Sequence, residues 1–308
     1  MRKTCLNMLY ELAKNDDRIL FIGSDLGTDT LQQFKEEMPE RFFMEGISEA
    51  NVIGMAAGMA LEGKIPYVNT IATFITRRCF EQVVLDLCLH NINVRLIGNG
   101  GGLVYAPLGP THEAIEDIAI MRAIPNMTIV VPADADEMKR LMPLTVDHPG
   151  PIYIRLAKGY DPIVTTDEHT FRIGKGFTMR EGADALLITT GITLKLALAA
   201  AESLSRVGIE CTILHMPTIK PLDTDKIIEL ATQTPMVITI EEHSIIGGLG
   251  SAVAEIMAET NWSSPKRFKR LGIPDVFPEK YGTQASLMEY YNISEDAIIK
   301  TVQSFSAA

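Results

Sequence analysis

The sequence has few of the residues that build metal centres and disulfide frameworks. Its 308 residues include four cysteines and six histidines, and no two cysteines form a CxxC pair. No histidine stands at a metal-ligand spacing, so the pattern argues against a zinc site. It predicts reduced, buried thiols in a cytoplasmic protein. These thiols are Cys5, Cys79, Cys88 and Cys211.

Long apolar runs and common ligand-binding fingerprints are also missing. No apolar run reaches the eighteen or so residues of a membrane span, and the opening MRKTCLNMLYELAKND predicts an amphipathic helix instead of a cleaved signal. There is no GxxxxGK(S/T) phosphate loop and no GxSxG elbow, and GGLGSA at 247–252 lacks dinucleotide-fingerprint spacing. A net charge of −11 and a pI near 5.1 argue against nucleic acid or an anionic membrane as partner.

What the sequence does have is a regular alternation of short β-rich runs and helical patterns, which is typical of parallel α/β sheets. With 308 residues, 46% of them hydrophobic, the chain is long enough for two domains with separate cores. We therefore predict an α/β fold with two doubly wound domains. The first is placed at 1–160 and the second at 183–308, with a linker at 161–182 that contains a small hairpin.

The predicted elements alternate in sequence order. Strands are predicted at 19–26, 65–71, 93–99, 127–133, 151–157, 184–191, 210–219 and 236–243. Helices are predicted at 30–38, 77–90, 114–124, 134–147, 193–208 and 224–234, and in the stretches that start at Glu49 and at Gly250.

Three loops that follow predicted strands are candidate ligand sites, because open α/β sheets bind ligands beyond the carboxyl ends of their strands. They are GSDLGTDT, IATFITRR and GNGGGLVYAPLGPTHE. The third has four glycines in the five positions 98–102. A backbone without side chains suits the close approach of a ligand or a bulky substrate.

Single residues in and near these loops remain ambiguous. Glu49, which follows the natural N-cap residue Ser48, is either a helix-start residue favoured by the helix dipole or a catalytic carboxylate. His112 is either structural or part of a site beside the glycine-rich loop. Phe74 is either a core aromatic or a ligand contact, and the pair Arg77–Arg78 either solvated or a phosphate clamp.

Four segments in a fixed order together resemble a known family. They are GISEANVIGMAAGMALEGKIPYVNTIATFITRRCFEQV, GPTHEAIEDIAIMRAIPNMTIVVPADADE, PTIKPLD and EEHSIIGGLGSAVAE. This order is similar to the carboxy-terminal half of transketolases and of 1-deoxy-xylulose-5-phosphate synthase, over residues 1–305. The resemblance implies the pyrimidine-binding and carboxy-terminal domains of a thiamine-diphosphate-dependent transferase, which moves a two-carbon ketol group between sugars.

The resemblance also implies residue roles on the cofactor side. Glu49 becomes the catalytic carboxyl that hydrogen-bonds N1′ of the aminopyrimidine. A carboxyl is needed there because sharing a proton with N1′ favours the imino tautomer, which takes the proton from thiazolium C2. Phe74 would stack on the pyrimidine with Phe80 beside it, while Arg77 matches an arginine of the deoxyxylulose-phosphate synthase pattern. Asp25 matches an aspartate near the thiazolium.

On the substrate side, the resemblance implies that His112 contacts the donor-derived intermediate and exchanges a proton with its oxygen. Three positions that grip a sugar phosphate in transketolases are Asp29, Gly100 and Lys158 here, and an aspartate that reads a substrate hydroxyl is replaced by Leu108. An aspartate repels a phosphate, and glycine offers no side-chain hydrogen bond. We therefore expect a wider, less phosphate-selective acceptor pocket for a nucleotide sugar or another modified sugar.

The family's GDG motif, which with a following asparagine holds Mg²⁺ and the diphosphate, does not occur in these 308 residues. The resemblance then implies a split enzyme with a separate amino-terminal, diphosphate-binding subunit of about 270 residues. We expect an α₂β₂ heterotetramer with each thiamine diphosphate between two subunits. The Mg²⁺ would be bound by the partner and not by this chain.

Two other functions stay open from the sequence. The beta subunit of a 2-oxo-acid dehydrogenase is also part of a split enzyme with a similar glycine-rich loop, although TFITR and GPTHE favour ketol transfer. The other is a non-catalytic scaffold that lost the cofactor. The joint presence of Glu49, Phe74 and His112 speaks against it.

Overall fold

The computed structural model describes residues 1–24, 31–157 and 159–306. Its strands form a seven-stranded sheet and a five-stranded sheet, and most neighbouring strands are parallel. This confirms the predicted α/β class with two sheet domains. None of the described helices is long and apolar enough to cross a membrane.

The first part of the chain builds most of the larger sheet. Its strands are β1 (Ile19–Gly23), β2 (Phe42–Met44), β3 (Ile65–Ile71), β4 (Arg95–Asn99), β5 (Thr128–Val130) and β6 (Ile152–Leu156). Its helices are α1 (Arg2–Asn15), α2 (Gln32–Glu37), α3 (Glu49–Leu61), α4 (Ala72–Arg77), α5 (Phe80–Gln82), a π-helical stretch (Val83–Leu89), α6 (Asp117–Arg122) and α7 (Ala135–Val146). The central strands are buried along their whole length, as helix-covered parallel strands should be.

The second part builds the smaller sheet. Its strands are β7 (Phe177–Arg180), β8 (Ala185–Thr189), β9 (Cys211–His215), β10 (Thr218–Lys220), β11 (Met236–Ser244) and β12 (Arg267–Ile273). Its helices are α8 (Leu194–Ser205), α9 (Thr224–Gln233), α10 (Leu249–Glu259), α11 (Gln284–Tyr290) and α12 (Glu295–Ser306). The sheet order is β12-β11-β8-β9-β7, without β10.

The run ECTILHMPTI, predicted as one strand, is divided between the two sheets. β9 ends before Pro217, which has no N–H to donate to a strand ladder. The Pro217 carbonyl instead accepts a hydrogen bond from the Val131 N–H at 2.7 Å, and β10 then pairs antiparallel with β5. The larger sheet therefore has the order β10-β5-β6-β4-β3-β1-β2 and includes a strand from the second part of the chain.

Two local predictions are wrong. The predicted hairpin at 161–182 does not form, because β7, the only strand among the described residues of this segment, pairs with the edge of β9 instead. The helix predicted at 77–90 is broken into the end of α4, α5 and the π-helical stretch. The break brings the end of α4 and Arg78 close to the start of α3, as described below.

The two domains pack against each other through apolar and polar contacts. One continuous apolar core contains Leu9 and Phe21 from the larger sheet's side together with Leu187 from the smaller sheet. Across the same boundary, the His215 ring nitrogen Nε2 lies 3.1 Å from a carboxylate oxygen of the buried Glu137. This packing places the end of β11 against the loop that follows β4.

Candidate active site

The carboxyl ends of β1 and β3 face a small pocket. β1 pairs in parallel with β2 on one side and with β3 on the other, so the order in which strands are added along the sheet reverses at β1. In open α/β sheets, such a switch point is where ligands bind. The hydroxyls of Ser24, just after β1, and of Thr70, in β3, are within hydrogen-bond distance of each other at 3.0 Å. The pocket is lined by Ser24, Gly46, Glu49, Val52, Ile53, Val68, Asn69, Thr70 and Ile75.

Among the residues that the structure describes, Glu49 is the only ionisable one that lines this pocket, and it is the first residue of α3. Its side chain is 6% exposed. Ser48 occupies the N-cap position, but its hydroxyl donates to the Glu45 carbonyl instead of capping α3. A buried carboxylate is costly without partners. The Glu49 carboxylate lies at the positive end of the α3 dipole, which helps to stabilise it.

The edge of the pocket nearest β4 carries an amide network. The Asn99 side-chain N–H group donates to the Asn69 side-chain oxygen at 2.7 Å and to the Thr70 carbonyl at 3.0 Å. Apolar side chains of α3, including Val52 and Ile53, form the opposite part of the lining. A few polar groups beside an apolar lining are the usual composition of a small-molecule site.

Arg78 connects Glu49 with Phe74, and sequence analysis did not assign it to the site. Its Nη1 lies 3.3 Å from both carboxylate oxygens of Glu49, and its guanidinium carbon is 3.8 Å from the centre of the Phe74 ring. Such a cation–π contact is favourable. The tandem Arg77–Arg78 was the available signal, but a pair of neighbours does not show which one points toward Glu49.

Arg77 points elsewhere. Its guanidinium forms an ion pair with Glu116 and donates to the Glu113 carbonyl at 3.1 Å. It therefore contacts the chain just after His112, and not Glu49. The resemblance placed Arg77 on the cofactor side. In the structure it is Arg78, and not Arg77, that contacts Glu49 and Phe74.

His112 lies beside Phe74. The two ring centres are 5.3 Å apart and the rings meet edge to face. The Thr111 hydroxyl is 2.9 Å from His112 Nδ1, while the ring is only partly buried. The structure thus brings Glu49, Arg78, Phe74 and His112 into one row of contacts, although they come from separate parts of the sequence.

The glycine-rich loop serves internal packing, which corrects the expectation of an open backbone surface. Gly100 has a φ of +75°, and a Cβ there would collide with the Tyr105 ring. A Cβ on Gly101 would lie 2.5 Å from the Arg155 side chain. These glycines therefore let Tyr105 and Arg155 approach the backbone.

The remaining predicted residues are less well connected to the row. Leu108 ends a short 3₁₀ turn at 106–108 and is 50% exposed, and Phe80 begins α5 and is 37% exposed. Asp25, Asp29 and Lys158 lie outside the described residues. Within the described residues there is no cluster of three or more His, Cys, Asp or Glu side chains that could hold a metal ion.

Glu113, the neighbour of His112, is a buried carboxyl that sequence analysis did not single out. It is fully buried, and neither carboxylate oxygen has a hydrogen-bond partner among the described residues. Burial raises its pKa to about 7, although the nearby positive charge of Arg77 opposes the shift.

Comparison with known proteins identifies both domains. Residues 1–160 match the family described as "Transketolase, pyrimidine binding domain", and residues 174–298 match "Transketolase, C-terminal domain". A solved structure described as "Split gene transketolase, inactive beta4 tetramer" is 37% identical, with a TM-score of 0.90 over 98% of this chain and 97% of that one.

Curated relatives cover nearly the whole chain. The 6-deoxy-6-sulfo-D-fructose transketolase subunit of a Clostridium species is 36% identical over 97% of this chain and 92% of its own length. An apulose-4-phosphate transketolase subunit of Phocaeicola vulgatus is 37% identical, covering 99% and 96%. A 1-deoxy-D-xylulose-5-phosphate synthase of Geobacter sulfurreducens is 37% identical, but the chain spans only 47% of it.

The fold is that of a two-domain α/β chain, and its first 160 residues match a pyrimidine-binding domain. The chain belongs to the transketolase family. It is the carboxy-terminal subunit of a split transketolase, and thus a transferase of ketol groups that depends on thiamine diphosphate.

Proposed function

We propose that this chain binds the pyrimidine half of thiamine diphosphate between β1, β3 and α3, and that the diphosphate half with Mg²⁺ is held by a separate subunit. The observation that carries this proposal is the buried Glu49 at the sheet's switch point, in a continuous row of contacts with Phe74 and His112. The described lining fits a pyrimidine in its chemistry, since it combines neutral polar and apolar groups with one buried carboxyl, which is paired with Arg78.

The described residues divide the chemistry between them. When bound, thiamine diphosphate supplies a nucleophilic carbon that carries the two-carbon unit. Glu49 shares a proton with the ring nitrogen of the pyrimidine, and its burial keeps water from competing for that proton. Phe74 packs against the ring, while His112 gives a proton to, or takes one from, the sugar oxygen.

The acceptor is a sugar other than an ordinary pentose phosphate. Leu108 offers no polar group and Gly100 is packed against Tyr105, so neither can grip a phosphate with its side chain. The relatives named for a sulfo-fructose and for apulose 4-phosphate support an unusual sugar. A kinetic panel of pentose phosphates, modified sugars and nucleotide sugars tests this, and ribose 5-phosphate as the best acceptor would overturn it.

The active assembly is an α₂β₂ heterotetramer in the cytoplasm. The subunit names of the relatives and the inactive assembly of beta chains alone in a similar structure support a required partner. The four cysteines are buried and free, as expected for a reducing compartment. Native mass spectrometry of the complex purified from its source should show a second chain with a GDG motif, Mg²⁺ and thiamine diphosphate. A cofactor-free homo-oligomer would contradict the proposal.

A further inference from the structure

The loop that carries His112 is closed at its base by the first domain itself. The N–H of Gly102 donates to the carbonyl of Ala114 at 2.9 Å, and the N–H of Ala114 donates back to Gly102 at 3.0 Å. Residues 103–113 therefore form one closed loop. Its first stem is at Gly102–Leu103 and its second at Ala114–Ile115, close to His112. Anything that fixes the two stems also fixes the position of the histidine.

Both stems are held by the end of β11, which belongs to the second domain. A carboxylate oxygen of Glu242 accepts a hydrogen bond from the Leu103 N–H at 2.8 Å, on the first stem. The Ser244 N–H donates to the Ile115 carbonyl at 2.7 Å, on the second stem. Of these two contacts, only the first depends on a side chain.

Glu242 is built into this position. It is 3% exposed, and its two carboxylate oxygens also accept from the Gln284 side chain at 2.9 and 3.0 Å. A Cβ on Gly102 would lie 2.5 Å from the carboxyl carbon of Glu242, so only glycine lets the carboxylate reach the loop. Burial raises the pKa of Glu242 to about 7, against the opposing effects of Arg155 and of its hydrogen bonds.

Further contacts tie the same loop to the second domain. Arg155 donates from one nitrogen to the carbonyls of both Ala114 and Glu242, each at 3.0 Å, and so ties the loop stem to β11. Gly109, three residues before His112, lies against Tyr281, and a Cβ there would be 2.8 Å from the tyrosine ring. The second domain is therefore connected to the loop at its stems and near its tip.

We propose that Glu242 is a positioning residue, whose carboxylate in the second domain fixes the 103–113 loop and thereby keeps His112 beside Phe74. The consequence for catalysis rests on the proposed function of His112, but the consequence for the loop does not. Small misplacement of a catalytic group lowers turnover strongly, even when the substituted residue lies outside the reacting atoms.

The test compares Glu242→Ala with Glu137→Ala in the full-length chain. Glu137 is a matched control because it is also a buried acid at the domain boundary, bonded to His215 and to the Ala133 N–H, but it does not contact the 103–113 loop. In hydrogen–deuterium exchange, we expect Glu242→Ala to speed exchange of peptides over 100–116 about tenfold or more. Peptides over α3 should be unchanged, and Glu137→Ala should leave 100–116 unchanged.

A kinetic measurement separates positioning from general destabilisation. With hydroxypyruvate as the ketol donor and the partner subunit present, kcat of Glu242→Ala should fall about 10- to 100-fold, while the Kd for thiamine diphosphate stays within about twofold. Glu242→Gln keeps an acceptor for the Leu103 N–H and should restore most of the lost kcat.

Clear results would overturn the proposal. Unchanged exchange over 100–116 in a folded Glu242→Ala chain, or equal changes in Glu137→Ala, would refute positioning by Glu242. If Glu242→Ala does not fold, Gln284→Ala removes the hydrogen bonds from the other side of the carboxylate and must still speed exchange over 100–116. If the wild-type complex shows no ketol transfer, the proposed function fails, but the exchange result still decides the structural claim.

Discussion

The two sides of the proposed site, the cofactor side and the substrate side, are held by different parts of the molecule. On the cofactor side, Glu49 begins α3, while Phe74 and Arg78 lie in and just after α4, beside the pocket beyond β1 and β3. On the substrate side, His112 is carried by a loop whose stems are fixed by β11 of the second domain. The first side is built within one domain, and the second side depends on two.

This difference predicts different responses to mutation. Groups placed by regular elements of one sheet keep their geometry as long as that sheet is folded, whereas a loop held by a few contacts can open locally while the rest of the chain stays native. Changes on the cofactor side should therefore affect cofactor binding and proton sharing. Changes on the substrate side should affect turnover and sugar recognition, with cofactor binding intact.

The largest effect is expected from Glu49→Gln, which tests the cofactor side directly. An amide cannot share a proton with the pyrimidine nitrogen, so ketol transfer by the complex should fall by about 10² to 10⁴. Stability should change little, because Arg78, the ion-pair partner of Glu49, is 46% exposed. Thermal unfolding and single-turnover kinetics measure the two quantities. Glu62→Gln, at the exposed far end of α3, is the control.

The next largest effect is expected from His112→Ala on the substrate side. Loss of the proton donor should lower kcat/KM for the sugar about 100-fold, while the Kd for thiamine diphosphate stays near that of the wild type because Phe74 is placed by α4. Isothermal titration and steady-state kinetics separate the two values. The exposed His90→Ala should change neither. A parallel loss of cofactor binding in His112→Ala would erase the distinction between the two sides.

Sequence alone predicted more of the cofactor side than of the substrate side. Glu49 and Phe74 stand in local patterns, a helix start and a strand end, and the structure places them in one row of contacts with His112. The contacts of Glu242 with Leu103 and of Arg155 with Ala114 join residues far apart in the chain. No local pattern marks such contacts, and the glycines they require were therefore interpreted as an open ligand surface.

In the fold, too, local patterns were predictable from the sequence and long-range pairing was not. Runs of buried apolar residues in β1 and β8 were predictable, because parallel strands are covered on both faces. The exchange of β10 into the larger sheet was not, since its three residues pair with a strand from the other part of the chain. The edge strand β12, where exposed and partly buried residues alternate, was also missed.

Arg77 and Arg78 are neighbours in the chain but contact different sides of the site, so substituting each one tests where the two sides meet. Arg78→Met should raise the Kd for thiamine diphosphate about fivefold, since it removes a cation–π contact with Phe74 and an ion pair with Glu49, each worth up to about 1 kcal/mol. Arg77→Met should leave that Kd unchanged and raise KM for the sugar, because Arg77 contacts Glu116 and the chain after His112. The opposite assignment would favour the role that sequence resemblance gave to Arg77.

The smallest effect is expected at Glu113, a buried carboxyl of the loop with no hydrogen-bond partner in the described part of the chain. Its pKa is raised from about 4.5 to about 7 in the folded chain, so between these values the folded state binds more protons than the unfolded state. The free energy of unfolding should therefore fall as pH rises through this window. Glu113→Gln cannot ionise and should be more stable than the wild type above pH 7, by roughly 1 kcal/mol.

The pH dependence of this difference is what identifies its cause. Well below the ordinary glutamate pKa of about 4.3, the wild-type carboxyl is protonated in both the folded and the unfolded state, so Glu113→Gln should lose its advantage there. Denaturant unfolding at several pH values measures this difference, with Glu259→Gln, at the exposed last residue of α10, as the control. A constant advantage at all pH values would mean that the amide gains a contact instead of removing a charge. A destabilised variant at high pH would mean that the carboxylate has a partner in the working enzyme, and the loop of His112 would then be completed by a group from outside the described residues.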